Sequence, residues 1–138
     1  MKPDSAAFSF DRFRILNATI DCEDIPESIF LDFIPSGIFI LEEKKFNLRF
    51  LFTAKKDNRK DSAPFISINC EAVYIFRDKI TIENIPDYFY SNSIAIAFPY
   101  IRAFISTITL QANIKPIVIP TLNLTALNTL LKENTIVK

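Results

Sequence analysis

Phe46, Leu48, Phe50, Phe52 and Ala54 fall at a strict period of two, the spacing at which side chains line one face of a β-strand. A second such row, Ile66, Ile68, Cys70, Ala72 and Tyr74 within Pro64–Phe76, follows the polar run Lys55–Ser62. Two alternating segments joined by a short polar connection predict an antiparallel hairpin. Upstream, Phe13–Asp21 sets Phe13 and Ile15 against Leu16, Ala18 and Ile20 and predicts a first strand. Asp21–Ser28 is acidic, contains Pro26 and reads as a turn or an edge. Phe30–Leu41 is apolar but interrupted by Pro35, Ser36 and Gly37, the only glycine in the chain. A positive φ costs least at glycine, so a turn or bulge is predicted there, leaving Ile38–Glu42 as a short second strand. Asp78–Tyr90, with Pro86, reads as irregular, with room for a short strand at Lys79–Ile82.

Near Ser93 the period changes. Phe98, Ile101, Ile105 and Ile108 recur at helical spacing and give one apolar stripe. Pro99 removes a backbone donor, which predicts a kink or the first regular turn of this helix. Pro116 and Pro120 prevent its continuation, and Asn123 then N-caps a second helix carrying Leu124, Leu127, Leu130 and Leu131. Strands in the first half and helices in the last third make an α+β arrangement. The length of 138 residues, without internal repeat or low-complexity linker, fits one domain over residues 1–138.

Composition sharpens this picture at one point. Apolar residues make up 49% of the chain, with 22 Ile and 14 Phe, more than one small core can hide. Some apolar surface is therefore expected to face a partner subunit or to bind something. Ser93–Ala112 is long enough for a membrane span, but Arg102 near its middle would cost about 2.5–3.5 kcal/mol at the bilayer centre. It reads as a buried helix of a soluble protein. Met1–Phe10 lacks the basic and apolar segments of a signal peptide, and two cysteines are too few for a disulfide framework. A cytoplasmic location with reduced thiols is the expectation.

Charge and inventory exclude whole classes of function. Basic and acidic residues balance at 16 each, against the basic excess of a nucleic-acid binder. The cluster Lys55-Lys56-Asp57-Asn58-Arg59-Lys60 is a solvated hairpin tip. With no histidine there is no imidazole base for serine or cysteine. A single glycine leaves no phosphate-cradling loop, and no ligand spacing for a metal is present. The carboxylates at Glu42-Glu43 and around Asp21, Glu23 and Asp24 read as solvated surface. Neither an enzyme nor a cofactor is expected.

The one specific signal lies in Phe98-Pro99-Tyr100-Ile101-Arg102, followed 21 residues after Arg102 by Asn123-Leu124-Thr125-Ala126-Leu127. In this order the two clusters resemble the SecB family of export chaperones, whose pattern reads roughly F-P-Y-x-R, helix, Pro-containing loop, N-[FL]-x-A-L. The resemblance rests on Phe98, Pro99, Tyr100, Arg102, Asn123, Leu124, Ala126 and Leu127. It implies a four-stranded antiparallel sheet packed with two C-terminal helices, assembling as a dimer of dimers (a homotetramer). It further implies binding of unfolded or non-native polypeptides in apolar grooves, for protein transport and export with the SecA motor as partner. By position, Phe30, Phe33 and Phe39, Tyr88 and Phe89, and Leu127 and Leu131 are groove candidates, each a candidate first for core or interface and then for client contact. Asp21, Glu23 and Asp24 are candidates for docking the motor. The alternative is the same fold as a dedicated partner-binding protein, such as the chaperone of a toxin–antitoxin pair or an accessory protein of a mobile element, without delivery to SecA.

Overall fold

The computed structural model describes residues 7–119, 124 and 126–138. In chain order they form β1 (Phe8–Ile20), β2 (Phe30–Ile40), β3 (Lys45–Lys55), β4 (Ile66–Phe76), a short 3-10 turn (Ile82–Asn84), α1 (Asp87–Gln111), α2 (Leu127–Glu133) and β5 (Thr135–Val137). The strands make one five-stranded sheet in the order β1-β4-β3-β2-β5. The four long strands pair antiparallel, while β5 adds to the edge of β2 in parallel. The sheet is thus mixed and five-stranded, not the four-stranded antiparallel sheet expected.

The alternation that predicts the hairpin also fixes which face is covered. Along β3 the even-numbered residues Phe46 to Ala54 are buried and their neighbours are not. The register Phe46↔Tyr74, Leu48↔Ala72 and Phe50↔Cys70 places the two apolar rows side by side, and α1 lies across them. Nine residues of α1, among them Phe89, Ile94, Phe98, Ile101 and Ile105, are buried. By length and composition α1 could cross a membrane; here it packs on the sheet. Phe89 sits at the hub of an aromatic cluster, with ring centroids 4.8 Å from Phe8 and Phe46 and 4.9 Å from Phe76. Burying one such ring contributes about 1.5–3 kcal/mol.

β1 is longer than its sequence pattern shows, because its register shifts between Phe10 and Arg12 and again between Ile15 and Asn17. Each β-bulge inserts a residue and resets the side-chain phase. That keeps Phe8, Phe10, Phe13, Ile15, Ala18 and Ile20 all opposite the apolar row of β4.

Several expectations are corrected. The chain does not turn at Gly37: β2 runs straight through Pro35, Ser36 and Gly37. The left-handed residue of the β2–β3 turn is Lys44, φ 55°. Pro35 is tolerated because β5 pairs only with Gly37–Phe39, so β2 is an edge strand at the proline. No strand forms at Lys79–Ile82, and α1 begins at Asp87, six residues before Ser93. Pro99 is interior to α1. It removes a hydrogen bond to the carbonyl of Ala95, which is solvent-exposed, so water can replace the lost donor. The helix ends on left-handed Asn113 (φ 62°), where the Ile114 N–H returns to the Thr109 carbonyl at 3.3 Å, a Schellman closure. Asn123, the expected N-cap of the second helix, lies outside the described residues.

Candidate functional site

Helix α1 is narrower than the sheet it covers, so a cleft opens on each flank. On the β2 side, Ile29, Leu31, Phe52, Ala54 and Ile66 form a floor facing Ile117, Val118 and Ile119 of the loop after α1; the cavity measures about 110 Å³. Val118 is 69% exposed at its mouth. Deeper along this flank Phe33 lies 5.6 Å from Phe50, 5.1 Å from Phe52 and 5.6 Å from Phe98. The result is an aromatic wall with one edge open to solvent.

The wall of this cleft is set by hydroxyls on α1. Thr109 accepts the Ile117 N–H at 3.0 Å and donates to the Ile105 carbonyl at 2.8 Å. Ser106 donates to the Ile117 carbonyl at 3.1 Å. Ser106 and Thr109, one helical turn apart, thus satisfy both backbone polar groups of Ile117 and hold an apolar loop against the core. Sequence reasoning missed this clamp. The signal was two hydroxyl residues at i, i+3 on the last turns of an otherwise apolar helix.

On the β1 side, Ala18, Ile20, Cys22, Ile108 and Ala112 line a wider cavity of about 290 Å³. Tyr100, 47% exposed, stacks on two residues of the same strand, Phe13 at 4.9 Å and Phe10 at 5.6 Å. Both clefts offer apolar side chains and few polar groups, which suits dispersion and desolvation rather than bond chemistry.

The structure distributes the sequence-based candidates unevenly. Phe39, Phe89 and Leu131 are fully buried in the core and present no surface to a ligand in this conformation. Phe33 and Leu127 are half-buried against that core. Phe30 and Tyr88 are exposed, at 44% and 52%, but Phe30 pairs with Lys55 on the sheet face away from the helices, so the candidates do not form one continuous groove. Among the motif residues, Phe98 is core, Pro99 is exposed, Tyr100 is exposed and stacked on β1, Arg102 is half-buried, Leu124 packs against the core and Ala126 is exposed. Asp21, Glu23 and Asp24 are exposed in the turn after β1, where Asp21 accepts the Glu23 N–H at 3.0 Å.

Three weak acids in the core are raised by burial. Burial pushes the Cys70 thiol up to about 12 while it donates to the Phe50 carbonyl at 3.3 Å. Burial likewise raises Tyr74, whose hydroxyl donates to the Ser93 carbonyl. Tyr90 is raised by burial and then by Asp87. Lys132 ties α2 to α1 through Asp87 at 3.0 Å, in a polar recess with Tyr90, Asn128 and Thr129. Among the described residues no group of three or more His, Cys, Asp or Glu could hold a metal ion.

No family model matches the chain. Over 94 residues it is 35% identical to the uncharacterized protein MJ0357 of Methanocaldococcus jannaschii, a match covering 67% of this chain and 59% of that protein. The chain thus spans under two thirds of the relative's length. Among solved structures it is similar to the Rv1957 SecB-like chaperone of Mycobacterium tuberculosis, in complex with a ChAD peptide from the Rv1956 HigA1 antitoxin. That match has a TM-score of 0.67 and 18% identity, and covers 85% of this chain and 91% of the other.

Proposed function

We propose that this protein, whose fold is that of a SecB-like chaperone, binds polypeptide and serves one dedicated partner of the antitoxin kind. The observation that carries the reading is the fold match to a chaperone holding a peptide from an antitoxin. The apolar clefts beside α1 supply matching chemistry: an extended peptide can place aliphatic or aromatic side chains in them. A cavity of about 110 Å³ with a hydroxyl-clamped wall accepts a single side chain of limited size. Such a site selects more than a broad groove would. The export reading rests on the sequence motif alone, with Asp21, Glu23 and Asp24 as its motor-docking candidates.

The chain acts in this reading as one domain over residues 1–138, without cofactor or catalytic step. It is cytoplasmic and self-associates as a dimer or tetramer through exposed apolar residues outside the clefts, such as Tyr100 and Leu110.

Light scattering of denatured, freshly diluted clients tests the proposal. A dedicated chaperone leaves the aggregation of unrelated clients unchanged and raises the soluble yield of a single protein encoded beside it. Val118→Asp, at an exposed position on the cleft, should abolish that gain without lowering Tm. Stoichiometric protection of unrelated clients would instead establish a general chaperone.

A further inference from the structure

The sheet has a second face, and neither described helix covers it. At its centre lies a cross-strand row, Arg14 of β1, Glu71 of β4 and Arg49 of β3, in direct register. Glu71 is 4% exposed. Its Oε1 accepts from Arg14 Nε at 3.2 Å, with Arg14 Nη2 at 3.1 Å, and its Oε2 accepts from Arg49 Nε at 2.9 Å. Both guanidiniums stay open to solvent, their side chains 56% and 43% exposed.

One carboxylate between two guanidiniums leaves the row with an excess positive charge. The next row adds Arg12, opposite Val73 and about 7 Å along the strand. Among the described residues Arg12 makes no ion pair, and Asp11 in the adjacent bulge makes none either. Asp32 on the same face pairs with Thr53, four residues along β3 from Arg49, hence about 14 Å away, beyond the roughly 8 Å over which exposed charges interact in physiological salt. The local field is therefore positive although the whole chain is neutral.

Glu71 also does something to geometry. A guanidinium presents its donors in a rigid planar fork matched to carboxylates. By engaging the inner N–H groups of both arginines, the buried carboxylate fixes the forks with their remaining donors outward. Ordering the arginines has then already been done when an acid arrives, which favours binding. Leu51 flanks the row on one side, opposite 45% exposed Ile34, whereas Val73 on the other side is fully buried. In the Val73 row, the Asn47 side-chain oxygen is buried without a hydrogen-bond partner.

We infer that this open sheet face is a docking site for an acidic polypeptide segment. Its Glu or Asp carboxylates engage Arg14 and Arg49, and interleaved aliphatic side chains pack on Leu51 and Ile34. Charge complementarity selects this occupant: two preorganised guanidiniums spaced by one strand on either side of Glu71 fit carboxylates projecting from one chain. The site is separate from the clefts beside α1 and does not rest on the chaperone reading.

Fluorescence polarisation with labelled peptides of alternating Glu and Val, about a dozen residues to span the sheet, tests it. The Glu peptide should bind the full-length protein at least about tenfold more tightly than its Gln counterpart, with affinity falling as salt rises. A Lys counterpart should not bind. The triple variant Arg14→Gln, Glu71→Gln, Arg49→Gln avoids stranding a buried charge and should lose that preference. It should keep any neutral apolar peptide bound in the clefts, so failure of one site is distinguishable from failure of the other. Equal binding of Glu and Gln peptides to the unmodified protein would overturn the inference, whether or not the variant folds. So would a preference for Lys, or equal binding of a single-stranded oligonucleotide.

Discussion

A methyl group added at Gly37 would lie 2.4 Å from Phe46 Cζ and 2.8 Å from Thr135 Oγ1. Neither can move freely: Phe46 is fully buried and Thr135 belongs to β5. Gly37→Ala should therefore destabilise the protein by about 1–3 kcal/mol, as overpacking does. Adding Phe46→Leu should recover part of that loss in urea unfolding. If Gly37→Ala alone leaves the midpoint unchanged, the close approach of Phe46 is wrong. The single glycine was legible as a special position, but for another reason. Its role is to leave space, not to adopt a left-handed backbone, and only the neighbouring strand reveals which ring needs that space. The same gap separates residue type from role at Phe39, Phe89 and Leu131. Their hydrophobicity was plain in the sequence, whereas their burial depends on α1 and α2 closing over them.

At the scale of elements, the β3–β4 hairpin was readable because its alternation is uninterrupted. β1 was only partly readable, since two bulges break the period that would have extended it to Phe8. The start of α1 was hidden because Tyr88-Phe89-Tyr90 has no helical signature of its own and follows Pro86. β5 was invisible: three residues carry no periodicity, and its parallel pairing with β2 comes from where α2 delivers the chain. Yet β5 shields a stretch of edge that would otherwise be open. Gly37 N–H bonds the Asn134 carbonyl at 3.2 Å, and Lys138 N–H bonds the Phe39 carbonyl at 2.9 Å. Removing residues 135–138 should lower Tm and promote concentration-dependent association through the bared β2 edge. Sedimentation showing the truncated protein no more associated than the original would refute this protective role.

Across the whole molecule, burial of weak acids sets an alkaline limit. Cys70 ionises at about 12 in the folded protein against an ordinary 9.0, and Tyr74 and Tyr90 are raised above 10.0. Above pH 9 the unfolded chain binds fewer protons than the native one, so stability declines with rising pH. The contribution of Cys70 is complete below pH 9 and is lost as pH climbs from 9 towards about 12. Calorimetry should show Tm falling across that window, with a shallower fall for Cys70→Ala; a flat Tm would contradict the burial of these groups. The two-faced sheet, helix-covered on one side and arginine-centred on the other, was only half legible. Apolar periodicity names the covered face, while the Arg14–Glu71–Arg49 row depends on registers that span three strands.

The seal that β5 forms on β2 also sets an order of events during synthesis. Asn134 Nδ2 reaches the Pro35 carbonyl at 3.1 Å across 99 residues of chain, the kind of distant closure that costs most entropy and comes late. β2, β3 and β4 can pair as soon as they leave the ribosome, but the outer edge of β2 has to wait for residues 134–138. For most of its own translation this polypeptide is itself an unfinished sheet with an open edge.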